Sequence, residues 1–376
     1  MEIKKFKNFI DMPLEIKALS DIFQKNNKKL YIVGGFIRDK LMGLHPLDID
    51  LSTDSLPNET ISFLKDKYKI DFVGKAFGVV IVHIDKIKIE IASFRKDISI
   101  GRHPKVELGV SIEDDVRRRD LTISSIFYDI QENKIVDLVG GVNDIRNKII
   151  RMVGDPIDRI NEDQLRSLRA IRFACRYNFS IDKKTFSVLK KYTDLSKISR
   201  ERIWEEIYKS FKQCGNRFVD YLKYFNDLEI WDQIFPGIEI NENIIKCTSL
   251  EIYLSNLFKN NIADNFNVFQ NNLVQKYLIP IEIARSITFL IWFQSFDPEK
   301  IVEYYSKKNN YGIDNKTIKE WIIVSNLSDR KFNAFIKYKP TSLAIDLMNK
   351  GFKGAELGRE IRRIEIDKFN KMIISV

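Results

Sequence analysis

The chain has 376 residues, 44% of them hydrophobic, enough for two or more domains with real cores. Its 62 Lys and Arg outnumber its 52 Asp and Glu, and the net charge of +10 suits a polyanionic partner. Zinc and Ser-His-Asp chemistry find no support: Cys175, Cys214 and Cys247 are widely spaced, and His45, His83 and His103 lack ligand spacing. The first residues have no apolar signal-peptide core. The most apolar stretch, LIPIEIARSITFLIWF, carries Pro280, Glu282 and Arg285, so it reads as a buried helix rather than a membrane span. These features predict a soluble, cytoplasmic protein without membrane contact, and they leave its oligomeric state open.

In chain order, KLYIVGG predicts a strand ending in a Gly-Gly turn, and FIRDKLMG a helix stopping at Gly43. GVVIVHI and KIKIEIASF predict paired strands joined near Asp85. DLTISSIFYDI and KIVDLV predict a strand or helix-strand element followed by a strand. After Gly140 and Gly141 helical periodicity takes over. In SRERIWEEIYKSF, Ile203, Trp204, Ile207, Tyr208 and Phe211 recur at helical spacing, with Ser199 placed to cap. The expectation is a mixed α/β head to about residue 140 and an all-helical remainder.

The most informative stretch is VGGFIRDKLMGLHPLDIDLSTD. Residues two apart on a strand share a face, so Asp48 and Asp50 present two carboxylates together. Like charges that close are costly unless a cation neutralises them, and Mg²⁺ is the natural oxygen-ligated ion. Two such ions ~3.5–4 Å apart stabilise the attacking and leaving oxygens of an in-line displacement at phosphorus. Gly34 and Gly35 leave room for a triphosphate at their backbone N–H groups, and Arg38 adds charge nearby.

This segment resembles the catalytic signature of the class II tRNA nucleotidyltransferase and bacterial poly(A) polymerase family, in the DNA polymerase β superfamily. Further segments resemble the family's strand pair (KAFGVVIVHIDKIKIEIASFRKD), ribose motif (RRRDLTISSIFYD), head-to-neck hinge (IVDLVGGVNDIRNKIIRMVGDP) and base-recognising helix (NEDQLRSLRAIRFACRYNF). Together the clear motifs cover roughly residues 30–210. The resemblance implies an α+β fold: a polymerase-β-like nucleotidyltransferase head at 1–140, a base-recognising helical neck at 141–212, and a helical, tRNA-binding body and tail at 213–376. It implies two Mg²⁺ ions on Asp48 and Asp50, and a third catalytic carboxylate at Glu90. Glu90 alternates with Ile89 and Ile91, so it points away from what they pack against.

The family's base-recognising pair falls on Asp163 and Arg166, three apart on a predicted helix and hence on one face. Asp accepts and Arg donates. Cytosine and adenine both offer an amino donor beside a ring-nitrogen acceptor; uracil and guanine offer the reverse. Arg169 continues the same stripe and joins the nucleotide-binding set. Arg119 and Asp120 match the ribose motif, where a carboxylate accepts from the 2′-OH. Ser124, where the family usually has Asn, is left out of the site. The loop containing Arg102-His103-Pro104 resembles the flexible loop of enzymes that add the terminal A. In GFKGAELGREIRRIE, Lys353, Arg359, Arg362 and Arg363 are candidate RNA contacts.

The implied reaction is addition of C and A from CTP and ATP to the tRNA 3′ end. The alternatives are a bacterial-type poly(A) polymerase and an enzyme restricted to A or CC addition. A small-molecule nucleotidyltransferase is disfavoured by the base-selecting motif. An RNA-binding protein with a relic head is disfavoured by the intact Asp48, Asp50 and Arg166.

Overall fold

The computed structural model describes residues 12–46, 48–71, 78–85, 87–99, 105–238, 248–260, 266–295, 298–306, 313–326, 329–341 and 344–375. Arg102, His103 and Pro104 lie outside the described residues. The chain divides into two compact units, Met1–Ile198 with Asp220–Ile230, and Ser199–Val219 with Trp231–Val376.

The first unit is built on β1 (Leu30–Val33), β2 (Asp50–Thr53), β3 (Lys69–Asp71), β4 (Val79–Ile84), β5 (Ile87–Ser93), β6 (Arg95–Asp97), β7 (Val106–Leu108), β8 (Phe127–Asp129) and β9 (Lys134–Val136). Seven of these form one sheet in the order β3-β4-β5-β2-β1-β8-β9. The β2–β5 pair is parallel and its neighbours are antiparallel, so the sheet is mixed. Alternation sets its two faces. Val80, Val82, Ile89 and Ile91 are buried, while Lys88 and Glu90 between them are exposed. Asp85, at φ 52°, makes the tight β4–β5 turn.

The helices of this unit begin with α1 (Leu14–Lys25), α2 (Gly35–Leu41), α3 (Pro57–Leu64) and α4 (Ile112–Arg117). They continue with α5 (Gly141–Asn147), α6 (Pro156–Glu162), α7 (Leu165–Tyr177) and α8 (Lys183–Tyr192). As expected, α2 follows the Gly-Gly turn and closes at Gly43, with Leu44 N–H donating to Asp39 O at 2.8 Å. DLTISS forms a single 3₁₀ turn over Thr122–Ser124 before β8. Gly141 is required by close approach: a Cβ there would lie 2.2 Å from Thr122 O. Thr122 also bonds Asp144 at 2.7 Å, and Leu121 bridges Met152. Residues on both sides of the expected 140 boundary thus belong to one compact unit.

The second unit is helical. Its first helix, α9 (Arg200–Cys214), buries Ile203, Trp204 and Ile207 but leaves Tyr208 exposed. Ser199 occupies the N-cap position, yet its side chain accepts no capping bond. The apolar stretch predicted as a buried helix is one, over Ile281–Ser295, with Phe289, Leu290 and Phe293 fully buried against Trp321, Phe335 and Phe369. Among the described residues no helix is long and apolar enough to cross a membrane.

Candidate active site

Asp50 opens β2 and stands opposite Glu90 in the parallel β2–β5 register, so the two side chains leave the same sheet face. Asp48 lies just before the strand. All three carboxylates are exposed and line one cavity of about 500 Å³, closed on one side by Pro13, Glu15 and Ile16. The surrounding protein raises the Asp50 pKa, first by desolvation and then through the Glu90 and Asp48 charges; Arg119 opposes the shift. Among the described residues no three such side chains converge into a ready-made metal cluster. The donor set nevertheless fits a hard divalent cation: three carboxylates share a cavity, and desolvation together with the neighbouring carboxylate charges disfavours ionisation of Asp50.

That shift has a definite sign. A cation binds the ionised carboxylate, and the raised pKa moves loss of that form to higher pH than for an ordinary aspartate. Divalent-cation affinity is therefore expected to fall as pH drops through a window above the usual aspartate value. Asp50→Asn should flatten the dependence. Mg²⁺-induced stabilisation measured across pH checks this; a pH-independent wild type contradicts it.

At the Gly-Gly turn, Gly34 takes φ +72° and its N–H donates to Ile126 O at 3.2 Å. This corrects one expectation, because the Gly34 N–H serves the sheet instead of a triphosphate. Arg38, expected to add charge near this turn, is buried beside it. It is 5% exposed, donates to Asp39 Oδ1 at 2.9 Å and to Ser124 Oγ at 3.1 Å, and packs 5.0 Å from the rings of Phe173 and Tyr177. Its Nη2 still lies beneath the turn, 3.4 Å from where a Gly35 Cβ would sit. Ser124, passed over in the sequence, is thus a neighbour of the turn.

The second cluster surrounds α7. Its geometry corrects the idea that Asp163 and Arg166 share one helix. α6 ends at Glu162, Asp163 is extended at φ −155° and ψ 110°, and α7 starts at Leu165. Asp163 Oδ1 accepts from Leu165 N–H at 3.1 Å, a side-chain bond that competes with helical continuation. Arg166, on the first turn of α7, donates to Glu162 at 2.5 Å, Arg159 O at 3.3 Å and Arg118 O at 3.0 Å. Those bonds use three of its five N–H donors.

Arg119 and Asp120 are brought to the same place. Arg169 Nε donates to Asp120 Oδ2 at 2.7 Å, and Leu121 N–H donates to Oδ1 at 2.8 Å. Burial opposes ionisation of Asp120, but the charges of Arg169 and Arg166 outweigh it and hold the pKa below the usual carboxylate range. Arg119 lies 4.7 Å over the Phe127 ring, and Asp115 grips it at 2.8 and 3.0 Å. Asp115 also holds Arg118 and has no exposed side-chain surface. The sequence reading missed Asp115 as the anchor of Arg118 and Arg119. The signal was present: in DDVRRRD the arginines stand three and four residues beyond it, the spacing at which helical side chains meet. Because Arg119 acts on the Asp50 pKa, the carboxylate cavity and the arginine cluster are electrostatically one neighbourhood.

The tail residues lie in the second unit and are described separately. The helix Gly354–Ser375 buries Phe369 and Glu365, and Glu365 accepts from Thr341 N–H at 2.6 Å. Arg362 pairs with Glu299 at 3.3 Å, and Arg363 with Glu360 at 2.6 Å. Lys353 and Arg359 are exposed. Since the helix carries core residues, neutralising its charges probes RNA contact more cleanly than deleting it.

Residues 30–151 match the family described as "Poly A polymerase head domain", and residues 178–241 the family described as "Probable RNA and SrmB- binding site of polymerase A". The CCA-adding enzyme of Ligilactobacillus salivarius is 36% identical over 297 residues, covering 74% of this chain and 72% of its own length. The CCA-adding enzyme of Lactobacillus helveticus is 30% identical over 384 residues, covering 93% and 94%. Among solved structures, the Thermotoga maritima CCA-adding enzyme complexed with tRNA-CCA superposes with a TM-score of 0.68 at 19% identity, over 100% of this chain and 98% of the other, so the fold is shared.

Proposed function

We infer the reaction from a plain premise: the chain belongs to the family of CCA-adding enzymes. It is an RNA nucleotidyltransferase that adds C and A from CTP and ATP to the tRNA 3′ end without a nucleic-acid template. The observation that carries this reading is the pairing of Asp50 with Glu90 across parallel strands, beside Asp48, within the electrostatic reach of Arg119. The division of labour is catalysis in residues 1–140, base recognition in 141–212 and tRNA binding in 213–376.

In the reaction, the terminal 3′-OH attacks the α-phosphorus of the incoming nucleotide, the new phosphodiester forms, and pyrophosphate leaves. Family members of this kind use divalent metal ions, and Asp48 and Asp50 would hold two Mg²⁺, which supply charge stabilisation to the attacking and leaving oxygens. Glu90 adds a third carboxylate on the same face. Arg119, fixed by Asp115, contributes positive charge between these carboxylates and the nucleotide. Asp163, whose Oδ1 also accepts Leu165 N–H, accepts from the exocyclic amino group. Arg166 donates to the ring nitrogen beside it. Both cytosine and adenine satisfy that order. Uracil and guanine set acceptor against acceptor and donor against donor, at about 1–3 kcal/mol per unsatisfied group. A tRNA substrate, and the buried cysteines Cys175 and Cys214, fit a cytoplasmic enzyme.

Asp120 has two readings, sugar contact and anchor for Arg169, and one variant separates them. Asp120→Ala is expected to narrow the preference for ATP over dATP by roughly tenfold, the value of one lost hydrogen bond. If the kcat/KM ratio is unchanged while KM for both rises, Asp120 serves Arg169 alone.

The second reading, a poly(A) polymerase, is favoured by the description of the matched head family. Incubation of a tRNA transcript lacking CCA with CTP alone decides between them. Incorporation of C supports the CCA reading; extension with ATP only, in a ladder of A residues, supports the other.

A further inference from the structure

The sheet face that carries the carboxylates does not end with them. Lys88 stands two residues before Glu90 on β5, about 6.6 Å along the strand on the same face. It is exposed and lines the cavity shared by Asp48, Asp50 and Glu90. Across the β4–β5 ladder Lys88 pairs with His83, and across β3–β4 His83 pairs with Lys69. Residues paired in this way project from one face, about 4.8 Å apart per strand. Lys88, His83 and Lys69 therefore form a row about 10 Å long, running from the catalytic cavity to the sheet edge. Asp71 joins the row and accepts His83 Nε2 at 2.6 Å. The Asp71 pKa is lowered first by that bond, then by the His83 charge and by Lys69 and Lys88, so the two lysine fields overlap there.

We propose that this row is a phosphate track: Lys88 nearest the carboxylates, with Lys69 beyond, holds phosphodiesters of the RNA strand whose 3′-OH reacts at Asp48 and Asp50. The proposal rests on the tRNA reading above and adds residues to it. Two observations separate it from ordinary solvated charge. Lysines on edge strands commonly block strand-to-strand association, which accounts for Lys69 on β3. Lys88 lies on β5, inside the sheet, where no edge needs protecting. At Asp50 the cation that offsets the charge is Arg119. Glu15 also lines the cavity, from α1. A strand of RNA leaving the site along β4 and β3 meets Lys88 and Lys69 at successive steps, with Asp71 orienting the imidazole between them.

The test uses the full chain, a tRNA transcript lacking only the terminal A, and ATP. Lys88→Gln is expected to raise KM for the transcript roughly two- to fivefold, the size of an exposed ion pair. KM for ATP and kcat should stay near wild type. The slope of log K against log salt for transcript binding should fall by about one, as for the loss of a single phosphate contact. Lys88→Arg should restore both. Lys69→Gln should act in the same sense, and the two changes should combine. Unchanged transcript KM and salt slope in Lys88→Gln, in an otherwise active enzyme, overturn the track. So does a change confined to kcat or to KM for ATP. If wild-type protein adds neither C nor A to any transcript, it is the tRNA reading itself that fails.

Discussion

Asp48→Asn and Asp50→Asn should each lower nucleotide addition by about a thousandfold or more, or ~4 kcal/mol of transition-state stabilisation. The loss is expected in kcat with Mg²⁺ as the only divalent ion, while tRNA binding stays largely intact. Both side chains are exposed, so neither substitution opens a cavity. Burial, and then the Glu90 and Asp48 charges, already disfavour the charge of Asp50, so Asn there relieves both the desolvation and the repulsion. The metal-free Asp50→Asn protein should melt no lower than wild type. Loss of turnover with retained melting temperature is the signature of a site whose charges are kept for chemistry rather than for the fold. Near-normal turnover by both variants removes the carboxylates from the mechanism.

The second large effect concerns base choice. Asp163→Ala should cost about ten- to hundredfold in kcat/KM for CTP and ATP alike, and Arg166→Ala should raise KM for both. The defects must appear together, because the two bases present the same order of donor and acceptor. UTP and GTP should gain relative to the cognate nucleotides once a mismatched group is gone. The local structure refines the controls. Asp163→Asn keeps an oxygen for the Leu165 N–H but introduces a donor, so it isolates recognition from the turn. Arg166→Ala also frees Glu162 and the Arg118 carbonyl, and its melting temperature must be measured beside its kinetics. Single-nucleotide incorporation with all four triphosphates reads the outcome. Wild-type discrimination in both variants, or loss of ATP use with CTP use intact, places base choice elsewhere in the pocket.

Strand alternation made the carboxylate face only partly legible in the sequence. Glu90 came from the family resemblance, and the period of two added only that it faces away from Ile89 and Ile91; Asp48 lies before β2, outside the strand that was expected to pair it with Asp50. The register of Asp50 with Glu90 needed the sheet itself, since β2 and β5 are far apart in the chain. The Asp163–Arg166 geometry was misread for a local reason. NEDQLRSLRA has helical composition throughout, and periodicity does not reveal that Asp163 captures the Leu165 N–H and breaks the run. The burial of Arg38 was not legible for a distant reason: it depends on Phe173 and Tyr177, more than a hundred residues away. Ser199 has the residue type of a cap and the backbone of one, but makes no capping bond. The tail arginines read as a basic stripe because their partners, Glu299 and Glu360, are an accident of helix packing and helical spacing respectively.

The most direct measurement is to incubate the protein with Mg²⁺, CTP and ATP on three tRNA transcripts, ending before CCA, after the first C and after both C residues, and to sequence the 3′ ends. The account predicts that all three converge on the same CCA terminus and stop there, with U and G absent when all four triphosphates are supplied. Open-ended A tails, or ends that never gain C, would contradict it.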